Sequence, residues 1–259
     1  MNFPFFTKEQ IDAFVLVFLR VSAMIVTIPI FGDRAVPTML KGGLSLFVTF
    51  LIFPFVLNAL PKMDIALLPQ IFMMAGEIMI GLIIGLTARF LFAGIQLGGE
   101  LIGFQMGFSI VNVIDPVTSR QVSIISQFQY LLAMLLFLNC NAHHLFINAT
   151  ADSYRILGPQ SYHFTGTLMD AILIFSQKIF VIAIKTSAPL IVVLFFTQVG
   201  LGVVARTVPQ INIFIVGFPL QIAVGLIFLG LSIPVFQMVA GKLFTNLGGE
   251  VYLLLKLMS

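Results

Sequence analysis

The stretch between Arg206 and Lys242 contains no Lys, Arg, Asp or Glu, and it limits the possible folds more than any other feature of the chain. As one straight helix it would extend roughly 50 Å, against about 30 Å for the hydrocarbon core of a bilayer. Backbone that crosses lipid must satisfy its own hydrogen bonds, which only helices and closed barrels achieve. Hydrophobic residues make up 59% of the chain and charged residues 9%. We therefore predict an all-α, integral membrane-type protein.

Apolar segments of similar character fill most of the chain, and many approach the roughly 20 residues of a spanning helix. They lie at about 11–31, 42–60, 65–88, 90–111, 124–148, 168–205 and 207–241. The last two are too long for one span each, which predicts broken and bent helices and tilted helical hairpins. The residues predicted to break these helices are Pro189, Pro209, Pro219 and Pro234.

A polar linker from about 152 to 167 predicts a boundary between an N-terminal part, 1–160, and a C-terminal part, 161–259. The C-terminal part is predicted to form a long helical hairpin. Its last residues, 243–258, place apolar side chains at helical spacing, which predicts an amphipathic tail.

Glycines recur at intervals of four residues within the apolar segments. Gly99, Gly103 and Gly107 form one bare stripe on a helix, along which another backbone can approach closely. The residues predicted to allow close helix packing are Gly81, Gly85, Gly99 and Gly103.

The glycine-stepped run ends at an Asp-Pro pair. The residue before a proline is disfavoured in a helix, and non-helical backbone at membrane depth must be buried in protein or face a water-filled cavity. Flexible, apolar Met and Phe side chains in this run suit a surface that seals and reopens. We therefore predict a plug or gate formed by Phe104, Met106, Gly107, Phe108, Ile110, Val113, Asp115 and Pro116.

Charged residues interrupt the apolar segments. Each would cost about 3 kcal/mol in lipid, and their sum would exceed a net folding stability of about 5–15 kcal/mol. They are therefore predicted to pair across helices or subunits, to extend to the membrane surface, or to line a polar conduit. These residues are Arg20, Glu77, Arg89, Glu100, Lys178, Lys185 and Arg206.

Other classes of function find little support in the sequence. The formal net charge of +3 is spread thinly, so no nucleic-acid partner is predicted. Cys140, His143 and His144 lie close together but lack metal-ligand spacing, so no metal or other cofactor is predicted. The hydrolase, zinc-protease and phosphate-loop motifs do not occur, which favours a protein that is not an enzyme. An intramembrane enzyme using Glu77 or His143 stays as a minor alternative.

Several motifs, taken in order, resemble the FliR family of flagellar type III export-gate subunits, whose injectisome relatives serve virulence secretion. The most specific is Arg-Thr-Val-Pro-Gln-Ile-Asn at 206–212. The others are Arg-Val-Ser-Ala-Met at 20–24, Pro-Ile-Phe-Gly at 29–32, Gly-Phe-Gln-Met-Gly-Phe at 103–108 with Asp-Pro at 115–116, Asn-Ala-His-His at 141–144, Ala-Pro at 188–189 and Gly-Phe-Pro at 217–219.

The resemblance implies a pore subunit in the bacterial inner membrane, at the flagellar basal body and raised towards the periplasm. It implies FliP, FliQ and FlhB as partners, unfolded flagellar proteins as export substrates, and contact with membrane lipid. It also implies that the N-terminal part is similar to FliP, that the C-terminal part is similar to FliQ, and that residues 104–123 form the plug loop. The alternative is a secondary transporter or channel with a site near Pro189 or Pro209.

Overall fold

The computed structural model describes residues 7–33, 35–57, 67–108, 123–158, 165–208, 210 and 213–259. These residues form helices and connecting turns and contain no strand, which confirms the all-α prediction. The helices are α1 (Lys8–Thr27), α2 (Thr38–Val56), α3 (Leu67–Gln105), α4 (Ile124–Asn139), α5 (Ala142–Ile156), α6 (Gly166–Thr207) and α7 (Ile213–Met258).

Five of the described helices, α1, α2, α3, α6 and α7, are long and apolar enough to cross a membrane. Helices α4 and α5 pass the same test only as a pair, and the chain bends by 62° between them, as in a broken span or a re-entrant loop. Helices α6 and α7 contain 42 and 46 residues, equivalent to about 63 and 69 Å at the usual rise. The membrane-type helical class predicted from composition is thus confirmed.

Local side-chain chemistry fixes two of the helix boundaries. Thr7 begins α1 with a capping box, because its hydroxyl accepts from the Gln10 backbone N–H and the Gln10 side chain accepts from the Thr7 N–H. Asn141 separates α4 from α5 with a φ of 53°. Asparagine tolerates this left-handed conformation better than most residues.

The structure corrects the predicted helix breaks. Pro189 lies inside the continuous helix α6, and Pro219 and Pro234 lie inside α7, whereas Pro209 falls outside the described residues. Each proline removes one N–H donor, and the many remaining hydrogen bonds of such long helices maintain the helix on both sides. The segments predicted at 65–88 and 90–111 likewise join in the single helix α3, whereas the segment predicted at 124–148 is interrupted at Cys140 and Asn141.

The chain folds into two compact units, each assembled from separate stretches of sequence. The first unit comprises Met1–Phe90, Asn141–Ser176 and Phe244–Ser259, and the second comprises Leu91–Cys140 and Gln177–Leu243. These units cut across the predicted division at residue 160, which stays a prediction about resemblance to FliP and FliQ.

In the first unit, the C-terminal turns of α7 pack against α5. The Tyr252 hydroxyl donates to Asp152 Oδ2 over 2.7 Å, and a Cβ built on Gly248 would lie 2.9 Å from Leu145 Cδ1. The apolar stripe predicted here is buried at Leu247, Val251, Leu254, Leu255 and Met258. It belongs to the same continuous helix α7 as the residues before it.

In the second unit, an apolar core joins α3, α4, α6 and α7. Its buried members are Ile102, Met106, Ile125, Leu190, Leu194 and Leu229, with Phe108 packed against them. The Phe92 ring adds edge contacts with Tyr130 and Phe137, at centroid distances of 5.5 and 5.7 Å. This core surrounds the end of α3, where the plug is predicted to begin.

Candidate gate region and buried charges

The end of α3 is fixed by a Schellman motif. The Gly107 N–H donates to the Phe104 carbonyl and the Phe108 N–H donates to the Gly103 carbonyl, each over 3.1 Å. Gly107 has a φ of 88°, a conformation that favours glycine. Gly107 is predicted to belong to the plug, and in the structure it is the residue that turns the chain away from the helix axis.

Met106 is anchored against α7. Its side chain is fully buried, and its Sδ and Cε atoms lie 2.8 and 2.6 Å from a Cβ built on Gly225. Phe218 approaches Gly107 in the same way, with its Cδ1 atom 2.9 Å from a built Cβ. The sequence contained no sign that Gly225 or Phe218 contacts α3, because neither lies in a spacing pattern that would link it to that helix, although Phe218 belongs to the Gly-Phe-Pro motif at 217–219.

The predicted plug residues differ in their surroundings. Met106 is buried and Phe108 is half-buried against the core of the second unit, whereas 70% of the Phe104 side chain is exposed. The structure therefore brings Met106, Gly107 and Phe108 together and leaves Phe104 available to other surfaces. The remaining predicted plug residues, Ile110, Val113, Asp115 and Pro116, lie outside the described residues.

Two of the predicted packing glycines lie against α1. A Cβ built on Gly81 would meet the Arg20 carbonyl and lie 2.9 Å from Ala23 Cβ, and one on Gly85 would lie 2.6 Å from Thr27 Cβ. Real Cβ atoms do not approach this closely, so α1 and α3 touch at distances that only glycine permits.

The other two lie against α4 and the residue that precedes it. A Cβ built on Gly99 would meet the Ser126 Cα atom, and one on Gly103 would meet the Ser123 hydroxyl. The close approach is reinforced by the Ser126 hydroxyl, which donates to the Gln96 carbonyl over 2.9 Å. The four packing glycines thus serve contacts with α1 in the first unit and with α4 and Ser123 in the second.

A buried ion pair joins α1, α3 and α5 in the first unit. Arg20 Nε donates to Glu77 Oε2 over 2.6 Å, and Nη2 donates to Oε1 over 2.9 Å. Arg20 Nη1 also donates to Ser153 Oγ over 2.7 Å, and the Tyr154 hydroxyl donates to Glu77 Oε2 over 3.1 Å. The guanidinium lies 3.7 Å from the Tyr154 ring centroid, and the Leu157 carbonyl accepts weaker contacts.

All of the side chains in this cluster are almost completely inaccessible to solvent. The bidentate geometry and the additional donors compensate for the removal of two charges from water. The sequence indicated that Arg20 and Glu77 need partners on other helices. It contained no signal for Ser153 or Tyr154, which are ordinary polar residues of a short helix.

The other predicted charges have different surroundings. Lys178 is half-buried. Four of the charges are exposed on long apolar helices, and within the described part of the chain they form no hydrogen bond or ion pair. These four are Arg89 and Glu100 on α3, and Lys185 and Arg206 on α6.

The cluster at the break between α4 and α5 carries no metal-site geometry. The rings of His143 and His144 pack together at a centroid distance of 4.2 Å, and Cys140 is exposed. In the ranges that the structure describes, no group of three or more His, Cys, Asp and Glu residues could hold a metal ion.

Comparison with known proteins identifies the family of the chain. The family described as "Bacterial export proteins, family 1" matches residues 11–247. The chain belongs to this family. It is similar to the flagellar biosynthetic protein FliR of Bacillus subtilis (strain 168), with 40% identity over 242 residues and 92% of each chain covered.

Other FliR proteins match almost as extensively. The chain is 32% identical to FliR of Escherichia coli (strain K12) over 231 residues, covering 88% of this chain and 87% of that protein. It is 28% identical to FliR of Aquifex aeolicus (strain VF5) over 240 residues, covering 93% and 92%. The resemblance to the FliR family is therefore confirmed, and with the membrane-length helices it indicates an inner-membrane component of the flagellar export apparatus.

Proposed function

We propose that this chain is a structural, non-enzymatic pore subunit of the flagellar type III export gate. In this proposal it assembles with FliP and FliQ, adjoins FlhB, and helps to form the channel through which unfolded flagellar proteins cross the bacterial inner membrane. The observation that carries the proposal is the set of exposed charges on helices that are otherwise apolar.

Glu100, Lys185 and Arg206 are exposed on α3 and α6 of the second unit, and within the described ranges none has a partner. A charge at the centre of a lipid-facing helix costs about 3 kcal/mol, and three such charges would offset much of a typical folding stability. Partner subunits or a water-filled channel would remove this cost. Arg20 and Glu77 do not require partner subunits, because they form an ion pair with each other.

The extent of uncovered apolar surface supports the same conclusion. In the 18-residue apolar stretch that qualifies each helix as a span, only 33% of the α6 residues and 17% of the α7 residues are buried inside the chain. Both helices exceed the roughly 30 Å hydrocarbon core of a bilayer, so lipid alone cannot cover them along their whole length. Apolar surface outside the core requires other protein to bury it. This agrees with subunits that are raised towards the periplasm when assembled.

The geometry at the end of α3 supports a gate. The Schellman motif and the Met106 contact with Gly225 fix the point at which the predicted loop, 104–123, leaves the helix. In the proposal, Met106 and Phe108 anchor the loop, while the exposed Phe104 joins Ile110 and Val113 in sealing the pore. Gly107 turns the chain and Gly103 permits close packing.

We predict that Phe104→Asp and Gly107→Asp increase small-ion leak through the complex formed with FliP and FliQ. The expected increase is about tenfold or more, because Phe104→Asp places a charge in the apolar constriction and Gly107→Asp disrupts the glycine turn that directs the loop. Leak is measured as potassium efflux from cells that express the three proteins together. Phe104→Leu, which keeps the position apolar, is the matched control and should leave the leak unchanged.

The amount of assembled complex is measured in the same cells. An unchanged leak in both aspartate variants, at wild-type levels of complex, would remove the plug assignment while leaving the assembly proposal intact. A leak in Phe104→Leu as large as in Phe104→Asp would also contradict an apolar seal.

The transporter alternative loses one of its two expected sites in the structure. It required a broken helix near Pro189 or Pro209 to expose backbone groups to a solute. Helix α6 continues through Pro189, and Pro209 lies outside the described residues. The enzyme alternative is weakened at Glu77, because both of its carboxylate oxygens are engaged in the buried cluster.

A further inference from the structure

A groove of about 820 Å³ opens in the first unit, beside the exposed face of α3. Leu82 and Leu86 of α3 form one wall, and Leu168 and Met169 of α6 form the other. Met169 is 59% exposed, so the groove is open along its length to whatever surrounds the helix. Both walls are formed mainly by side chains within helices, where the backbone groups are already hydrogen-bonded to one another.

Among the described residues that line this groove, Arg89 is the only charged one. Its side chain is exposed, and in the part of the chain that the structure describes it has no hydrogen bond or ion pair. Thr165 and Gly166, at the beginning of α6, also line the groove and contribute the positive end of a helix dipole. The Thr27 hydroxyl is already used, because it donates to the Ala23 carbonyl over 2.7 Å.

The dimensions of the groove match a lipid chain. Its α3 wall extends from Met79 to Arg89, which is about 15 Å at the usual rise per residue. Half of a bilayer's hydrocarbon core, the depth that one acyl chain covers, is also about 15 Å. A groove of this length with an unpaired guanidinium in its lining has the two chemical features that a phospholipid requires.

We propose that this groove binds one anionic phospholipid, with an acyl chain along Leu82, Leu86 and Met169 and its phosphate on the Arg89 guanidinium. A guanidinium can donate two parallel hydrogen bonds to a phosphate. Among the described residues of the lining there is no carboxylate that could receive the ammonium group of a zwitterionic headgroup, so net charge selects an anionic lipid. This site is independent of the plug and of the export function.

The chain contains no tryptophan, so a single introduced tryptophan reports on its own surroundings. Met169→Trp and Leu82→Trp place this reporter at two points of the groove, and Val192→Trp places it on an exposed face of α6 outside the groove. The full-length protein is reconstituted in vesicles of phosphatidylglycerol and phosphatidylcholine, with brominated acyl chains on one lipid at a time. Bromine quenches tryptophan fluorescence on contact.

Brominated phosphatidylglycerol is expected to quench the groove reporters as if its affinity were about tenfold higher than that of phosphatidylcholine. Adding Arg89→Gln should reduce this preference to nearly one, whereas Arg155→Gln, which removes an exposed charge of the same unit, should preserve it. The Val192→Trp reporter should show no preference. Two reporter positions are used because a tryptophan at one of them could fill the groove and exclude the lipid.

Equal quenching by both lipids at both groove positions in the parent protein would overturn the proposal. A preference that survives Arg89→Gln would overturn it as well, because it would place the headgroup elsewhere. The same reporters are then measured in the complex with FliP and FliQ. Protection of the groove from both lipids there would identify a protein helix as its occupant and would also reject a lipid site.

Discussion

Replacing Glu77 with Gln is expected to lower the free energy of unfolding by about 3–5 kcal/mol, the largest effect that we predict for a single residue. The substitution preserves size and leaves an oxygen to accept from Tyr154. It removes the charge opposite Arg20, whose side chain is 0% exposed. A guanidinium in that position has no route to water and retains only neutral partners, so the cost is that of an uncompensated buried charge.

The effect is measured as the shift in unfolding of the detergent-solubilised protein, by heat or by denaturant. Glu100→Gln is the matched control, because it makes the same change at an exposed carboxylate of the same helix and should alter stability by less than about 0.5 kcal/mol.

A second variant separates charge from packing. Adding Arg20→Met to Glu77→Gln removes both charges and should restore part of the lost stability, because a neutral pair in an apolar interior is often tolerated. If the double variant were less stable than Glu77→Gln alone, hydrogen bonding from Arg20 to Ser153 and Leu157 would be the dominant contribution, and the ion-pair explanation would be wrong.

Replacing Gly99 with Ala should destabilise the protein by about 1–3 kcal/mol, although alanine favours helices more than glycine does. A Cβ at Gly99 would meet the Ser126 Cα atom, and a backbone atom cannot rotate away as the end of a side chain can. Helices α3 and α4 would therefore have to separate. The hydrogen bond from the Ser126 hydroxyl to the Gln96 carbonyl, now 2.9 Å long, would weaken at the same time.

Gly230→Ala provides a control with the opposite expected sign. Gly230 lies within α7, and a Cβ built on it meets nothing within 4 Å. Its replacement should stabilise the solubilised protein by about 0.5–1 kcal/mol, because alanine loses less backbone entropy in a helix. Both variants are compared by the same unfolding measurement. Equal shifts in the same direction would show that the close contact at Gly99 contributes nothing.

Much of the fold could be predicted from composition and spacing. Composition indicates whether a segment lies in lipid or in water, and spacing indicates the period of its secondary structure. The charge-free stretches required helices in a membrane, and the four-residue glycine interval placed Gly81, Gly85, Gly99 and Gly103 on faces where helices touch. The need for partners on other helices followed from the cost of burying Arg20 and Glu77. All of these inferences concern properties that neighbouring residues determine locally.

The remaining features depend on which helices meet, and a single sequence does not specify that. Pro189, Pro219 and Pro234 are tolerated within long helices, whereas the break falls at Asn141, whose left-handed conformation has only a weak sequence signal. Likewise, Gly225 accommodates Met106 from a distant part of the chain. The Schellman motif at Gly107 was detectable in principle, because glycine commonly follows a helix end.

The most direct test of the proposed function is the mass of the complex extracted gently from membranes in which this chain is expressed with FliP and FliQ. We predict a species much heavier than the 28.5 kDa chain, with FliP and FliQ present in it. Recovery of this chain only as a lone 28.5 kDa species, from membranes that contain both other proteins, would contradict the proposal that it is a subunit of an export gate.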